Sequence, residues 1–396
     1  MAAALFLDST KNLSQIILAK LYGITRLAIH KVLLRQCASF GSKIYSQIAL
    51  AELCGIALRQ DGAFRIVLFD YLRRLNIMAL TVREIREARE RIAPYITQTP
   101  LVRLCNLDAY LGCEVYAKAE CMQVTGAYKL RGAMNKALSL TEEELSRGLV
   151  AASSGNHGKA IAYAAKLLGA KATIVMPNTA PQVKVEAVRA LGAELVQCEV
   201  AERFDVAARI CAERGATLVP PYNDETVMAG QGTVGLEIAE QCPGVDAVVV
   251  PVSGGGLIGG VSTALRAVSP DTKVYGAEPA VLPRYTASLK AGEPTAVEQK
   301  KTIADALVSQ KPGAVCFPYV AANTAGFADV DEEYILKGWK LLLTEGKLLS
   351  EASSAIGLGA ILQGALAFRP TDKVCFIISG GSVSINQLEI LKNVTI

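Results

Sequence analysis

A chain of 396 residues with 51% hydrophobic and 20% charged side chains has a large core and exceeds the usual span of one compact domain, so two lobes or more are expected. Its net charge of +4 is too small to argue for nucleic acid, and 6% aromatics among abundant Ala, Val, Leu and Gly suit helix-on-sheet packing better than a β-sandwich. Ten scattered cysteines, none in a CxxC pair, and only two histidines argue against a zinc cluster and a disulfide framework, which leaves reduced thiols in an intracellular protein.

Residues 1–77 carry ten Lys/Arg against four Asp/Glu, while the remainder carries 31 against 33, so the basic character belongs to the N-terminal stretch. Its apolar runs, such as Ile16-Ile17-Leu18 and Ile66-Val67-Leu68-Phe69, are interrupted by Lys or Arg before they reach the ~18 uncharged residues of a membrane span. The first eleven residues lack the charged-then-apolar order of a secretory signal. Three readings stay open: a native start at Met78, a mitochondrial targeting segment that Asp8 weakens, and an appended module. After Met78 an amphipathic helix is expected, with Thr81 as N-cap and Glu84 three residues later.

From Lys118 onward helix-like and strand-like segments alternate. A helix from His157 to Leu168 ends at Gly169 and gives way to the apolar strand Ala172–Pro177. Pro181 to Leu191 reads as the next helix, with Pro at its start and Gly192 at its end, and Ala193–Cys198 as a strand. Asp246–Val252 is uninterruptedly apolar after its first residue, as strands buried on both faces are, and Lys273–Gly276 and Lys373–Ile378 repeat that character. Strand, loop, helix, strand predicts open parallel α/β sheets, with ligands at the carboxyl ends of the strands, where the glycine clusters fall.

Four motifs carry chemistry. In Thr125-Gly126-Ala127-Tyr128-Lys129-Leu130-Arg131-Gly132-Ala133 a lysine sits between apolar neighbours at a loop-to-helix junction, where desolvation would make it a competent amine nucleophile. Ser153-Ser154-Gly155-Asn156-His157-Gly158 opens a helix, and small residues with free N–H groups there suit a carboxylate. Ser253-Gly254-Gly255-Gly256-Leu257-Ile258-Gly259-Gly260 follows the valine strand with N–H groups able to wrap a phosphate. It is neither a triphosphate loop nor a clean dinucleotide fingerprint. Ser379-Gly380-Gly381-Ser382 ends the last strand, where a serine could face a heterocyclic nitrogen. Taken singly, a surface lysine and a capped helix explain the first two, whereas a tight turn alone would hardly need as many glycines as the third carries.

Together, and in this order, the motifs resemble those of the fold type II pyridoxal-phosphate (PLP) enzymes, within them the threonine/serine dehydratase and serine racemase group, over roughly residues 80–390. The resemblance implies an α/β fold of the tryptophan synthase β-like kind: two open parallel-sheet lobes with the cofactor in the cleft between them. It divides the chain into an N-terminal extension (1–77), a large cofactor-binding domain (78–139 and 227–396) and a small domain (140–226). By the same resemblance Lys129 holds PLP as a Schiff base and removes the α-proton, and Asn156 bonds the ring hydroxyl. Ser253, Gly254, Gly255, Gly256 and Leu257 cradle the phosphate, and Ser379 meets the ring nitrogen. Ser153, Ser154 and His157 face the substrate carboxylate, with Ser154 as second acid/base on the opposite face in a racemase.

The expected activity is α,β-elimination from L-threonine or L-serine to a 2-oxo acid and ammonia. Serine racemase, hydroxyaspartate dehydratase, β-replacement and a non-catalytic ligand-binding relative are the alternatives. Ala127, Tyr128 and Ser253 stand where the group usually has Ser, Phe and Gly, and Glu351-Ala352-Ser353-Ser354 stands for a Glu-Pro-Ser-Gly segment. Glu278 matches a position that holds a divalent cation in some members, but Arg284 replaces the acidic partner six residues on. The chain stops soon after Ser379, with no room for an amino-acid-sensing domain, which points to a catabolic-type or racemase-type enzyme. The resemblance also implies a homodimer acting on a small amino acid, with neither nucleic acid nor membrane as partner, in the cytoplasm or in mitochondria if residues 1–77 are a targeting segment.

Overall fold

The computed structural model describes residues 80–396 apart from Ser154, Pro181 and the side chains of Val183 and Lys184; the readings placed on residues 1–77 and on Ser154 lie outside the described residues. The chain enters through α1 (Val82–Ile92), capped as expected: Thr81 Oγ1 accepts the Arg83 N–H, and the Glu84 carboxylate accepts the Thr81 N–H at 2.8 Å.

Among the described residues, ten strands form two sheets. The larger runs β1-β2-β10-β7-β8-β9, from Leu101–Arg103, Glu114–Lys118, Lys373–Ile377, Ala247–Pro251, Lys273–Pro279 and Gly326–Val330. The smaller runs β5-β4-β3-β6, from Glu194–Cys198, Ala172–Pro177, Leu149–Ala152 and Thr217–Leu218. All pairings are parallel except β1 with β2, a three-residue antiparallel edge.

The apolar strands are two-faced, which is why they read as continuous runs. In β7, Ala247 and Val249 join the core holding Trp339 and Leu342, while Val248 and Val250 join the one holding Val261 and Leu265. In β3, Leu149 and Ala151 face Ile161 and Ile174, and Val150 and Ala152 face Val206 and Ile210. Between strands lie α2 (Lys129–Leu138), α3 (Asn156–Leu167), α4 (Gln182–Arg189), α5 (Arg203–Arg214), α6 (Glu225–Gln241), α7 (Gly256–Val268), α8 (Arg284–Ala291), α9 (Cys316–Asn323) and α10 (Glu332–Thr344).

Helix α2 is held to α6 by close approach. A Cβ at Gly132 would stand 2.6 Å from Val227 O, and one at Gly230 2.5 Å from Arg131 O. Beside this contact a buried charge network ties α2 to β2 and α6. Arg131 donates to both Glu120 oxygens at 2.8 Å and to Glu237 at 2.6 and 2.8 Å, and Lys118 Nζ reaches Glu237 at 2.5 Å. The eight cysteines at positions 105, 113, 121, 198, 211, 242, 316 and 375 are free thiols. Among the described residues no helix is long and apolar enough to cross a membrane.

Candidate active site

Lys129 opens α2, and the loop before it is zipped onto the end of β10. Ala127 bridges Gly380, the Tyr128 N–H donates to Ser379 O at 3.0 Å, and the Gly381 N–H to Gly126 O at 2.8 Å. Lys129 Nζ donates to Pro221 O at 2.6 Å. The residue is half-buried, and burial pushes its amine down to about 8, against the pull of the Cys316 thiol and the Glu351 carboxylate. An amine so placed is neutral to roughly a tenth at pH 7, about two orders of magnitude more than an ordinary lysine.

Gly155 leads into α3, its N–H donating to Ser153 Oγ at 3.3 Å. The Asn156 amide donates to the two Glu351 carboxylate oxygens at 3.1 and 3.0 Å, and its Oδ1 accepts from the Ser382 hydroxyl. His157 is buried, and burial pushes its imidazole down to about 3, so it is neutral. Its Nε2 bonds Val219 O at 2.8 Å, which makes Nε2 the protonated nitrogen and leaves Nδ1 with no partner among the described residues. His157 therefore fastens α3 to the segment that runs to Pro221.

The glycine loop joins β7 to α7. Gly255 has φ +101°, and a Cβ there would lie 1.8 Å from Tyr285 Oη; a Cβ at Gly254 would lie 2.4 Å from the Tyr222 ring. Only glycine fits between these rings. The Gly254 carbonyl accepts the Gly313 N–H at 2.9 Å and the Tyr285 hydroxyl at 3.1 Å, and Ser253 Oγ accepts the Ser309 N–H at 3.1 Å. The first-turn N–H groups of a helix have no intrahelical acceptor, so those of Gly256 and Leu257 remain for a ligand.

Ser379, at the end of β10, is buried with its hydroxyl 3.0 Å from Ser354 Oγ. Glu278 lies apart from this group, on β8 opposite Asp329 of β9. Its carboxylate accepts the N–H groups of Tyr285 and Thr286 at 2.8 to 3.0 Å and lies 3.9 Å from Arg284 Nε. Burial pushes this carboxyl up to about 7. Among the described residues no group of three or more His, Cys, Asp or Glu forms a candidate metal cluster.

The fold thus brings together Lys129, Asn156, Ser379 and the glycine loop, through contacts from residues to which the sequence assigned no role. Glu351 and Ser382 hold Asn156, Ser354 holds Ser379, and Pro221-Tyr222 links the lysine to the loop. The Glu351-Ala352-Ser353-Ser354 segment gave a signal for Glu351 and Ser354; Tyr222 and Tyr285 had none.

A family model described as pyridoxal-phosphate dependent enzyme matches residues 92–380. An L-threonine ammonia-lyase of Thermotoga maritima is 41% identical over 316 residues, 79% of this chain and 78% of that protein. A serine racemase of Oryza sativa subsp. indica is 39% identical over 78% of this chain and 93% of that one. The solved structure of maize serine racemase superposes with a TM-score of 0.76 at 38% identity, covering 79% of this chain and 96% of that chain. The chain belongs to the pyridoxal-phosphate-dependent enzyme family, with the tryptophan synthase β-like fold.

Proposed function

We propose that the chain is an L-threonine/L-serine ammonia-lyase, converting these substrates to 2-oxobutanoate or pyruvate with release of ammonia. The observation that carries the reading is the Ser379–Ser354 hydroxyl pair at the end of β10, next to the backbone that bonds the lysine loop. A hydroxyl at a pyridine nitrogen cannot hold a proton there as a carboxylate would, and the weaker electron sink favours prompt loss of a β-leaving group over transamination.

The residues fit the cofactor. Lys129 offers a buried amine of lowered pKa, and the glycine loop offers N–H groups where side chains would clash. Asn156 offers an amide braced by Glu351 and Ser382, and Ser379 a hydroxyl. Bound pyridoxal phosphate would supply a carbon that is electrophilic toward amines and a conjugated ring that acidifies the substrate α-C–H. In this reading Lys129 Nζ takes the α-proton, and Ser253 to Leu257 hold the phosphate. Asn156 Nδ2 donates to the ring hydroxyl oxygen, while Ser153 and the α3 N-terminus bind the substrate carboxylate. Neutral His157 shapes this pocket through Val219 rather than adding a positive charge.

The test is incubation of the PLP-loaded enzyme with L-serine and L-threonine separately, with keto acid, ammonia and D-serine measured in the same tubes and Lys129→Ala as control. Keto acid and ammonia in equal amounts from both substrates, with an inert control, support the lyase. D-serine in excess of pyruvate replaces it with a racemase and makes Ser154→Ala the next variant. Turnover of hydroxyaspartate alone transfers the reading to that substrate.

A further inference from the structure

The glycine loop rests on the first turn of α8. Tyr285 is buried and stacked on Phe327, with ring centroids 5.1 Å apart and planes at 7°, and its hydroxyl donates to Gly254 O at 3.1 Å. Arg284, equally buried, donates Nη1 to Val252 O and Nη2 to Leu307 O, each at 2.9 Å. Glu278 fixes the pair through the Tyr285 and Thr286 N–H groups and faces the guanidinium. Asp329, opposite on β9, accepts from Thr286 Oγ1 at 2.7 Å.

Burying a guanidinium is unfavourable unless its donors are met and its charge compensated. Here two donors are spent on main-chain carbonyls, one of them at the entry of the glycine loop. A trans peptide is planar, so its N–H points opposite to its C=O. Arg284 on Val252 O therefore sets the direction of the Ser253 N–H. Tyr285 and Gly313 on Gly254 O set that of the Gly255 N–H. The two residues fix the donors before any phosphate arrives, which removes part of the ordering cost of binding.

We infer that Tyr285 and Arg284, held by Glu278, are positioning residues that preorganise the N–H groups of Ser253 and Gly255 for the cofactor phosphate. This rests on the reading of the glycine loop as the phosphate site. Neither side chain touches the phosphate, so their effect is read in affinity and in the phosphate's surroundings.

The experiment titrates PLP into cofactor-free wild type, Tyr285→Phe and Arg284→Lys by absorbance, and records the phosphorus NMR shift of the bound cofactor and the melting temperature of each cofactor-free protein. Tyr285→Phe keeps the ring stack and removes one hydrogen bond. A Kd raised about 3- to 10-fold, the span of one such bond, is expected, with a displaced phosphorus shift. Arg284→Lys keeps the charge but loses the fork across two carbonyls, and its Kd rises at least as much. Variants with the wild-type Kd and phosphorus shift overturn the inference, as does weakening seen only where the cofactor-free melting temperature collapses. A wild type that binds no PLP overturns the functional reading itself, a separate result.

Discussion

Replacing Gly255 by alanine tests the glycine loop at its tightest point. Two penalties coincide there. The residue has φ +101°, a left-handed backbone that disfavours a Cβ by about 1–2 kcal/mol. The new Cβ would also lie 1.8 Å from Tyr285 Oη, 2.8 Å from Tyr285 Cζ and 3.0 Å from Cys316 Cβ. The ring is buried and stacked on Phe327, so the loop must move, by roughly 1.5 Å to restore ordinary contact distances. Hydrogen bonds to a charged phosphate contribute about 1.5–3 kcal/mol each, and misaligning two removes about 3 kcal/mol or more. PLP affinity is therefore expected to fall roughly a hundredfold or more. The assay is PLP titration of the cofactor-free variant, with Gly112→Ala as control. Gly112 has φ +66° and open space within 4 Å of where its Cβ would stand, so it shares the backbone strain without the collision. A Gly255→Ala protein binding within about threefold of wild type would refute the reasoning.

Arg131→Met strands Glu120 and Glu237 in the core with Lys118 as their remaining cation; a loss of about 3–5 kcal/mol in urea unfolding is expected, and one below about 1 kcal/mol contradicts it. His157, ordinarily near 6.5, is held at about 3, so the unfolded chain binds the extra proton between those values. Stability from this group is complete above about 6.5 and is lost as pH falls, by about 1.4 kcal/mol per unit; the His157→Gln profile should be flatter from pH 6.5 to 4.5, and parallel profiles would count against it. Dialysis against EDTA is expected to leave keto-acid production unchanged, because Glu278 is already bonded by the Tyr285 and Thr286 N–H groups and faced by Arg284; loss of activity restored by magnesium would contradict this.

Much of the candidate site was legible because its motifs are local in sequence. The lysine junction, the small residues before α3, the triple glycine after a valine-rich strand and the final serine each announce themselves within a few residues. The two-faced strands were legible for the same reason: β4 runs Ala172–Pro177, as the apolar run predicts. Contacts across long separations were not. Asn156 meets Glu351 195 residues away and Ser382 226 away, and nothing at position 156 names those partners. His157 was expected to face the substrate; its Nε2 bonds Val219 O, a contact 62 residues away that periodicity alone does not reveal. Arg284 looked like the loss of an acidic partner, and the structure gives it two carbonyls to hold beside the glycine loop.

The central claim is that this chain holds its cofactor through Lys129. The most direct measurement loads the protein with PLP, reduces it with borohydride, digests it and locates the pyridoxyl group by mass spectrometry. The account predicts a single labelled peptide containing Lys129, and no label in Lys129→Ala. A label on another lysine, or none on the wild type, would contradict it.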